Sequence, residues 1–412
     1  MARIEPFKGL RPRKDIAHLV ASPPYDVLDS TEALQLASDN EMSFLHVIKP
    51  EIDLPDNTDP YSDAVYQKAK ANLDHFIKEN ILIQDTQKCF YIYKQIWGDH
   101  IQVGLVAGAS IQDYQEDRIK KHELTRKVKE NDRMRHMESL NANTGPVFLT
   151  FKENREIMKL FDQAMTDQPE YDFKSADGVR HLFYLVDNSR LIQKLQSAFS
   201  VLDLLYVADG HHRSAAATRV KQNREAQNPQ HNGNEEYNFF LSVIFPHNQM
   251  KILAYNRAVT SLGDQCKAEF FHRLSENFSY DESDIKVPQS PGEFCLYIDG
   301  KWYCLTAREN SFNASDPVDS LDVSILQKNL LEPVLGIIDP RTDDRVRFIG
   351  GIRGASELEK RVDSGEFKVA FSLYPTGIEQ LFNVADSGQI MPPKSTWFEP
   401  KLRSGLVCHL LD

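Results

Sequence analysis

The sequence predicts an α+β fold, because β-rich hairpins and helical stretches both recur along the chain. Two β-rich runs, Phe90–Trp97 and Ile101–Ala109, are separated by Gly98-Asp99-His100 and predict a hairpin. The apolar run Leu204–Ala208 leads through Asp209-Gly210 into a helix-forming stretch, which predicts a strand, a tight turn and a helix. The chain is therefore expected to combine sheets with packed helices.

The other elements follow from the same two patterns. Tyr61–Asn80 carries apolar residues at helical spacing, and Glu293–Ile298 predicts a second hairpin with Trp302–Leu305 across Asp299-Gly300. Phe44–Pro50 is expected to be a strand. Further strands are expected at residues 147–151, 178–186, 237–246, 252–259 and 367–374, and further helices at 153–173, 189–199, 266–277, 318–330 and 378–385.

A chain of 412 residues is long enough for two domains. Asn223–Glu236 is rich in Asn, Gln and Gly, and this composition predicts a surface loop. We therefore expect an N-terminal α+β domain at residues 1–235 and a C-terminal α+β domain, packed on it, at residues 236–412.

Net charge and cysteine content limit which binding partners and which cellular compartment are expected. The formal net charge of −12 argues against a nucleic-acid binder, which needs basic residues to neutralise phosphates. The 5 cysteines are widely spread and form no Cys-x-x-Cys pair, which indicates a reduced, cytoplasmic protein. No stretch approaches the roughly 20 apolar residues that cross a bilayer, so no membrane partner is expected. Homo-oligomerisation stays open.

The polar residues after the strand Leu204–Ala208 predict an anion site. Gly210 allows the backbone to reverse, and the following residues fall in the first helical turn, where backbone N–H groups have no partner within the helix. These N–H groups and the helix dipole favour phosphate, and Arg213 adds a bidentate donor. A capped helix with surface histidines is the alternative. The predicted phosphate-binding residues are Gly210, His212, Arg213 and Ser214.

The run Ala208–Arg213 resembles the phosphate-binding motif of the ParB/sulfiredoxin-like superfamily, and most closely its free-serine kinases. The whole chain also resembles a family of bacterial and archaeal proteins catalogued as a domain of unknown function. The resemblance implies a ParB-like phosphate-binding unit within residues 1–235, with ATP or ADP as phosphate donor and a small hydroxylated substrate such as free serine. The other matching pieces are Ser22–Val27, Lys121–Thr125, Glu130–Arg133, Ala142-Asn143 with Pro146, and Met391–Thr396 with Phe398 and Pro400.

Phosphoryl transfer requires charge neutralisation, usually by a divalent metal ion, and a base beside the attacking hydroxyl. Asp209 is the candidate Mg²⁺ ligand or base, and Glu123 is a candidate base from another segment. His211 and His212 are further catalytic candidates; adjacent residues lie about 100° apart on a helix and do not grip one zinc ion together. The candidate substrate-binding residues are Tyr25, Asp26, His122, Arg133, Asn143, Lys394, Ser395 and Thr396.

The residues named above are compatible with three functions. The first is a nucleotide-dependent phosphotransferase, and the second is a phosphohydrolase of a small phosphorylated metabolite such as phosphoserine, with water as the acceptor. The third is a ParB-like nucleotide-gated or DNA-binding module, against which the acidic charge and the lack of a helix-turn-helix pattern stand. The sequence has neither a Gly-x-Ser-x-Gly elbow nor a P-loop. The residues do not decide between the first two functions.

Overall fold

The computed structural model describes residues 2–412 and confirms the predicted α+β class. Within these residues the chain forms two compact units. Unit 1 comprises the chain up to Met250 together with Pro400–Asp412, and unit 2 comprises Lys251–Glu399. The boundary expected between residues 235 and 236 lies within unit 1, and the final segment belongs to unit 1 as well.

The bounds of the strands and helices are as follows. The strands are β1 Ile4–Glu5, β2 Gly9–Pro12, β3 Leu82–Gln84, β4 Phe90–Trp97, β5 His100–Ser110, β6 Ile119–Lys120, β7 Ala142–Asn143, β8 Val147–Phe151, β9 Tyr171–Lys174, β10 Arg180–Val186, β11 Leu205–Asp209, β12 Phe239–Pro246, β13 Lys251–Leu253, β14 Tyr255–Val259, β15 Phe278–Glu282, β16 Glu293–Ile298, β17 Lys301–Ala307, β18 Val346–Gly350, β19 Val369–Leu373, β20 Trp397–Glu399 and β21 Cys408–Leu410. The α-helices are α1 Ala17–Val20, α2 Ser30–Ala37, α3 Leu45–Ile48, α4 Asp63–Lys78, α5 Ile111–Gln115, α6 Lys127–Leu140, α7 Arg155–Ala164, α8 Ser189–Ser200, α9 His211–Gln227, α10 Lys267–Leu274, α11 Asp322–Leu326, α12 Ala355–Asp363 and α13 Ile378–Asp386.

In the described part of unit 1, the larger sheet has nine strands in the order β6-β11-β8-β12-β5-β4-β10-β9, with β1 paired to β5. The predicted hairpin is confirmed as β4 and β5, which pair antiparallel. Apolar residues of α7, α8 and α9, among them Ile157, Phe199 and Val220, pack in one core with Leu105 and Val207 of the sheet. Because burial of apolar area is the main stabilising contribution, this core fixes the strand β11 and the helix α9 that carry the motif.

A second core of unit 1 lies among α2, α3, α4 and a four-stranded sheet in the order β3-β2-β21-β7. The predicted strand Phe44–Pro50 is wrong, because Leu45–Ile48 is helical and a 3₁₀ turn begins at Pro50. Phe44, Leu45, Val47 and Ile48 are all buried. A short continuous apolar run fits a buried helix as well as a buried strand, so its pattern did not discriminate between them.

In the described part of unit 2, a six-stranded antiparallel sheet has the order β15-β17-β16-β19-β14-β18. The predicted hairpin across Asp299-Gly300 is confirmed as β16 and β17. Both turn residues have positive φ, 50° and 76°, as the tight turn between such strands requires. The helix expected at residues 318–330 is shorter: α11 is followed by a π-helical turn, Gln327–Leu331. No helix within residues 2–412 is long and apolar enough to cross a membrane.

Candidate functional site

The motif predicted from the sequence is a strand, a glycine turn and a helix, as expected. β11 ends at Asp209, and α9 begins at His211 after Gly210, whose φ is 96°. A Cβ atom at Gly210 would lie 3.3 Å from the Cα atom of Val147 on the neighbouring strand β8. The positive φ and this close approach both require glycine. The turn therefore places the N-terminus of α9 beside the first residue of β8.

Asp209 is held by two donors. Its Oδ1 accepts from the Gly210 N–H at 2.8 Å, and its Oδ2 accepts from Lys401 Nζ at 2.9 Å. Burial disfavours the charged carboxylate, but Lys401 and Arg213 outweigh burial and hold the pKa of Asp209 well below its usual range. Asp209 is therefore ionised at neutral pH. The sequence did not single out Lys401, and its only signal was its position directly after Pro400 in a matching piece.

His211 and His122 form a buried imidazole pair. Their ring centroids lie 4.4 Å apart at an interplanar angle of 86°, and the side chains are 3% and 2% exposed. Burial is the main cause that lowers the pKa of both groups, to about 4 for His211. Both rings are therefore neutral at pH 7. Among the described residues, His211 Nε2 and His122 Nδ1 are buried atoms without a hydrogen-bond partner.

Glu123 lies beside this pair. Its Oε2 atom is 3.8 Å from His211 Nδ1, and its side chain is 37% exposed. His212 accepts the Arg126 N–H at 3.0 Å through Nε2, so the same segment contacts both histidines of the motif. β6 pairs parallel with β11, which brings this segment to the motif. The carboxylate is thus placed where solvent meets the buried imidazole.

The Arg213 guanidinium is already engaged. Its Nη1 donates to the carbonyl oxygen of Pro146 at 2.6 Å, and its Nη2 lies 3.1 Å from both carboxylate oxygens of Asp26. Its Nε is buried without a partner among the described residues. Arg213 and Arg133 lie 5.3 Å and 4.0 Å from the centroid of the Tyr25 ring. Arg213, which the sequence predicts to bind phosphate, is therefore already paired with the Asp26 carboxylate. A phosphate would have to replace this carboxylate.

Tyr25 and Arg133 connect the motif to α6. Burial is the main cause that raises the pKa of Tyr25 to about 12, so the phenol is neutral. Arg133 pairs with Asp132 at 2.8 Å, and Asp132 accepts from the Tyr66 hydroxyl at 2.9 Å. Together these residues form a fixed wall next to Arg213.

Two predicted residues make internal hydrogen bonds. Ser214 is fully buried, and its hydroxyl donates to the carbonyl oxygen of His211 at 3.1 Å. Asn143, on β7, accepts the Leu241 N–H at 3.2 Å through its side-chain oxygen. Both side chains therefore have a structural role in the arrangement seen here.

Lys394, Ser395 and Thr396 belong to unit 2, whereas the motif belongs to unit 1. Lys394 has a positive φ of 58°, and its Nζ lies 5.4 Å from the centroid of the Tyr255 ring. The Ser395 hydroxyl donates to the carbonyl oxygen of Pro392 at 2.7 Å. Within their own unit these residues form a fixed turn before β20.

Asp209 is the predicted Mg²⁺ ligand of the motif. Within residues 2–412, no group of three or more His, Cys, Asp or Glu side chains is arranged to bind a metal. Mg²⁺ prefers oxygen ligands, and the two oxygens of Asp209 accept from Lys401 and from the Gly210 amide. The role of Asp209 as a Mg²⁺ ligand stays a prediction.

A family model described as "Protein of unknown function (DUF1015)" matches residues 4–324. No curated protein matches the chain. Among solved structures, one similar chain is a "Free serine kinase in complex with AMP", with 14% identity, coverage of 68% of this chain and 84% of that chain, and a TM-score of 0.34. Another is a conserved hypothetical protein from Pyrococcus furiosus, with 13% identity, coverage of 70% and 90%, and a TM-score of 0.33. A third is SbnI with a C-terminal truncation from Staphylococcus aureus, with 10% identity, coverage of 71% and 82%, and a TM-score of 0.35.

Proposed function

The chain belongs to the DUF1015 family, and we propose from its own site that it is a nucleotide-dependent phosphotransferase that acts on a small hydroxylated metabolite. The observation that carries the proposal is the placement of Glu123 beside the buried, neutral His211 at the N-terminus of α9. Phosphoryl transfer to a hydroxyl needs a proton acceptor and a phosphate cradle in one place. Both groups are available here.

The cradle is the first turn of α9. The Arg213 and Ser214 amides donate to the carbonyl oxygen of Gly210 at 2.9 and 3.1 Å, so we assign the phosphate to the residues that precede Arg213, at the positive end of the helix dipole. α9 is 17 residues long, so the dipole is well developed. We assign the phosphates of ATP or ADP to this turn. Arg213 is the side-chain donor after the phosphate displaces the Asp26 carboxylate.

The acceptor side is formed by Glu123, His211 and His122. In the proposed step, Glu123 takes the proton of the substrate hydroxyl, and the hydroxyl oxygen forms a bond to the transferred phosphorus. The bond between that phosphorus and the nucleotide oxygen breaks, and the shortened nucleotide leaves with the electron pair. His211 Nε2 and His122 Nδ1 are buried without a partner among the described residues, and we assign one of them as the acceptor for an ammonium group of the substrate, whose hydroxyl donates to Glu123.

Free serine is the specific substrate that we propose, on the resemblance of Ala208–Arg213 to the motif of ParB-like free-serine kinases. It carries a hydroxyl, which donates its proton to Glu123 in the proposed step, and an ammonium group, which donates to an imidazole nitrogen. We place the ParB-like phosphate-binding unit within residues 1–235 on the same resemblance.

A binding panel followed by product analysis tests this function. The full chain is heated with ATP, ADP, AMP or CTP, each with and without L-serine, and the melting temperature is measured. We expect ATP or ADP to raise the melting temperature and phosphoserine to form only when a nucleotide is present. Release of phosphate from O-phospho-L-serine without nucleotide would instead identify a phosphohydrolase. A shift with CTP and DNA alone would favour a nucleotide-gated DNA-binding module.

A further inference from the structure

Arg257, on β14 of unit 2, is a buried cation without an acidic partner. Its side chain is 3% exposed, and no carboxylate among residues 2–412 forms a hydrogen bond or an ion pair with its guanidinium. Its hydrogen bonds go to backbone carbonyl oxygens: Nη1 donates to Tyr255, and Nη2 donates to Pro393 at 3.3 Å and to Lys394 at 3.1 Å. Phe348, directly opposite on β18, places its ring centroid 4.6 Å from the guanidinium carbon.

These contacts do not neutralise the charge. Carbonyl oxygens and an aromatic face carry only partial negative charge, and burial of an unpaired cation is costly. Burial without a carboxylate lowers the pKa of Arg257 to about 9, although a guanidinium keeps its proton at neutral pH. The positive charge of Arg257 is therefore buried without a directly paired carboxylate.

The Arg257 side chain lines a cavity of about 210 Å³. Val323, Gln327, Arg341 and Asp339 line the same cavity, and the Asp339 carboxylate is paired with Arg341 at 3.1 Å. Gln327 donates through Nε2 to the carbonyl oxygen of Ile337 at 2.7 Å, and this bond fixes the amide so that Oε1 remains buried without a partner among the described residues. Gln327 also begins the π-helical turn after α11, a distortion that occurs frequently at functional sites.

We propose that this cavity binds the oxyanion group of a small molecule, a carboxylate or a phosphate, with Arg257 as its counter-ion. The oxyanion supplies the acidic partner that Arg257 lacks, and it accepts from the guanidinium N–H groups that the three carbonyl oxygens leave unused. This site lies within unit 2 and does not rest on the function proposed for the motif.

The test compares variants of the full chain in phosphate, acetate and chloride at equal ionic strength. Arg257→Met removes the charge and replaces the arginine by an unbranched apolar side chain. Arg345→Met is the matched control, because Arg345 also bonds two carbonyl oxygens, those of Leu335 and Gly336, but has its own carboxylate partner in Asp343. For a ligand near ten times its dissociation constant, we expect phosphate or acetate to raise the melting temperature of the wild type and of Arg345→Met by about 3 °C over chloride.

The gain should disappear in Arg257→Met, and the comparison of phosphate with acetate identifies the preferred oxyanion. If Arg257→Met does not fold, Arg341→Glu decides the matter, because it adds a carboxylate to the cavity and leaves Arg257 in place. The side chain of Arg341 is 45% exposed, so this variant is expected to fold. An oxyanion effect that is equal in the wild type and in Arg257→Met or Arg341→Glu would overturn the proposal, as would the absence of any effect in the wild type.

Discussion

Lys401 Nζ lies 2.9 Å from Asp209 Oδ2, although 192 residues separate the two in the chain. The contact ties the C-terminal segment of unit 1 to the turn that begins α9. The Asp209 side chain is 35% exposed, so solvent screens the pair and its coupling energy should be about 1 kcal/mol.

Lys401→Met should therefore lower the melting temperature by about 2–4 °C, because Asp209 loses its cation. In the Asp209→Asn background, the same substitution should cost little. Thermal unfolding of the two single variants and the double variant measures this coupling. Additive losses would mean that the ion pair contributes nothing.

Glu123→Gln should reduce phosphotransfer roughly a hundredfold or more, the scale of general-base catalysis. The amide cannot accept the hydroxyl proton but keeps the shape of the side chain, so nucleotide affinity and melting temperature should be unchanged. Glu116→Gln, an exposed substitution nearby, is the control for a nonspecific loss of charge. Full turnover in Glu123→Gln would move the base role to His211 or Asp209.

Asp26→Asn and Arg213→Met should shift phosphate-ligand affinity in opposite directions. Asp26→Asn weakens the hold on the guanidinium and should tighten binding by about 1 kcal/mol. Arg213→Met removes the donor and should weaken binding by about 1.5–3 kcal/mol. Titration calorimetry with ATP measures both, and Arg219→Met on the same helix is the control because Arg219 pairs with Glu130 instead. Weaker binding in both variants would indicate that the Asp26 pair is needed for the fold of the cradle.

Acidification should destabilise the protein through its buried histidines. The pKa of His211 is about 4 in the folded chain, below its value of about 6.5 when unfolded, so the unfolded state binds the proton first as pH falls. Stability is unaffected by this group above pH 6.5 and should decrease below it by about 1.4 kcal/mol per pH unit. Melting temperatures between pH 7 and 5 should fall less in His211→Gln than in the wild type. His18→Gln, at an exposed position, should behave like the wild type.

Local features of the fold were predictable from the sequence. The turn Asp209-Gly210 follows from an apolar run, a glycine and a helix-forming run that are contiguous, and the hairpin at Asp299-Gly300 follows from its turn residues. The predicted strand Phe44–Pro50 was wrong because a short apolar run without periodicity fits a helix as well as a strand. The polar neighbours His122 and Thr125 suggested that Glu123 lies near the motif, and the parallel pairing of β6 with β11 brings its segment there.

Long-range features were not predictable. β21, near the C-terminus, pairs with β2 and β7 in unit 1, and no local pattern encodes which strands pair across such distances. Lys401 and its contact with Asp209 depend on that return of the chain. In the sequence, Arg257 is indistinguishable from other charged residues of a strand. Only the structure shows that it is buried and has no carboxylate partner.

Phosphorus NMR of the full chain with L-serine and ATP or ADP tests the central claim most directly. With Mg²⁺ in the buffer, we expect a phosphomonoester resonance of phosphoserine to appear as the terminal phosphate resonance of the nucleotide decreases, and Glu123→Gln should suppress both changes. A wild-type chain that binds the nucleotide but forms no phosphorylated product from L-serine or other small hydroxylated metabolites would contradict the claim.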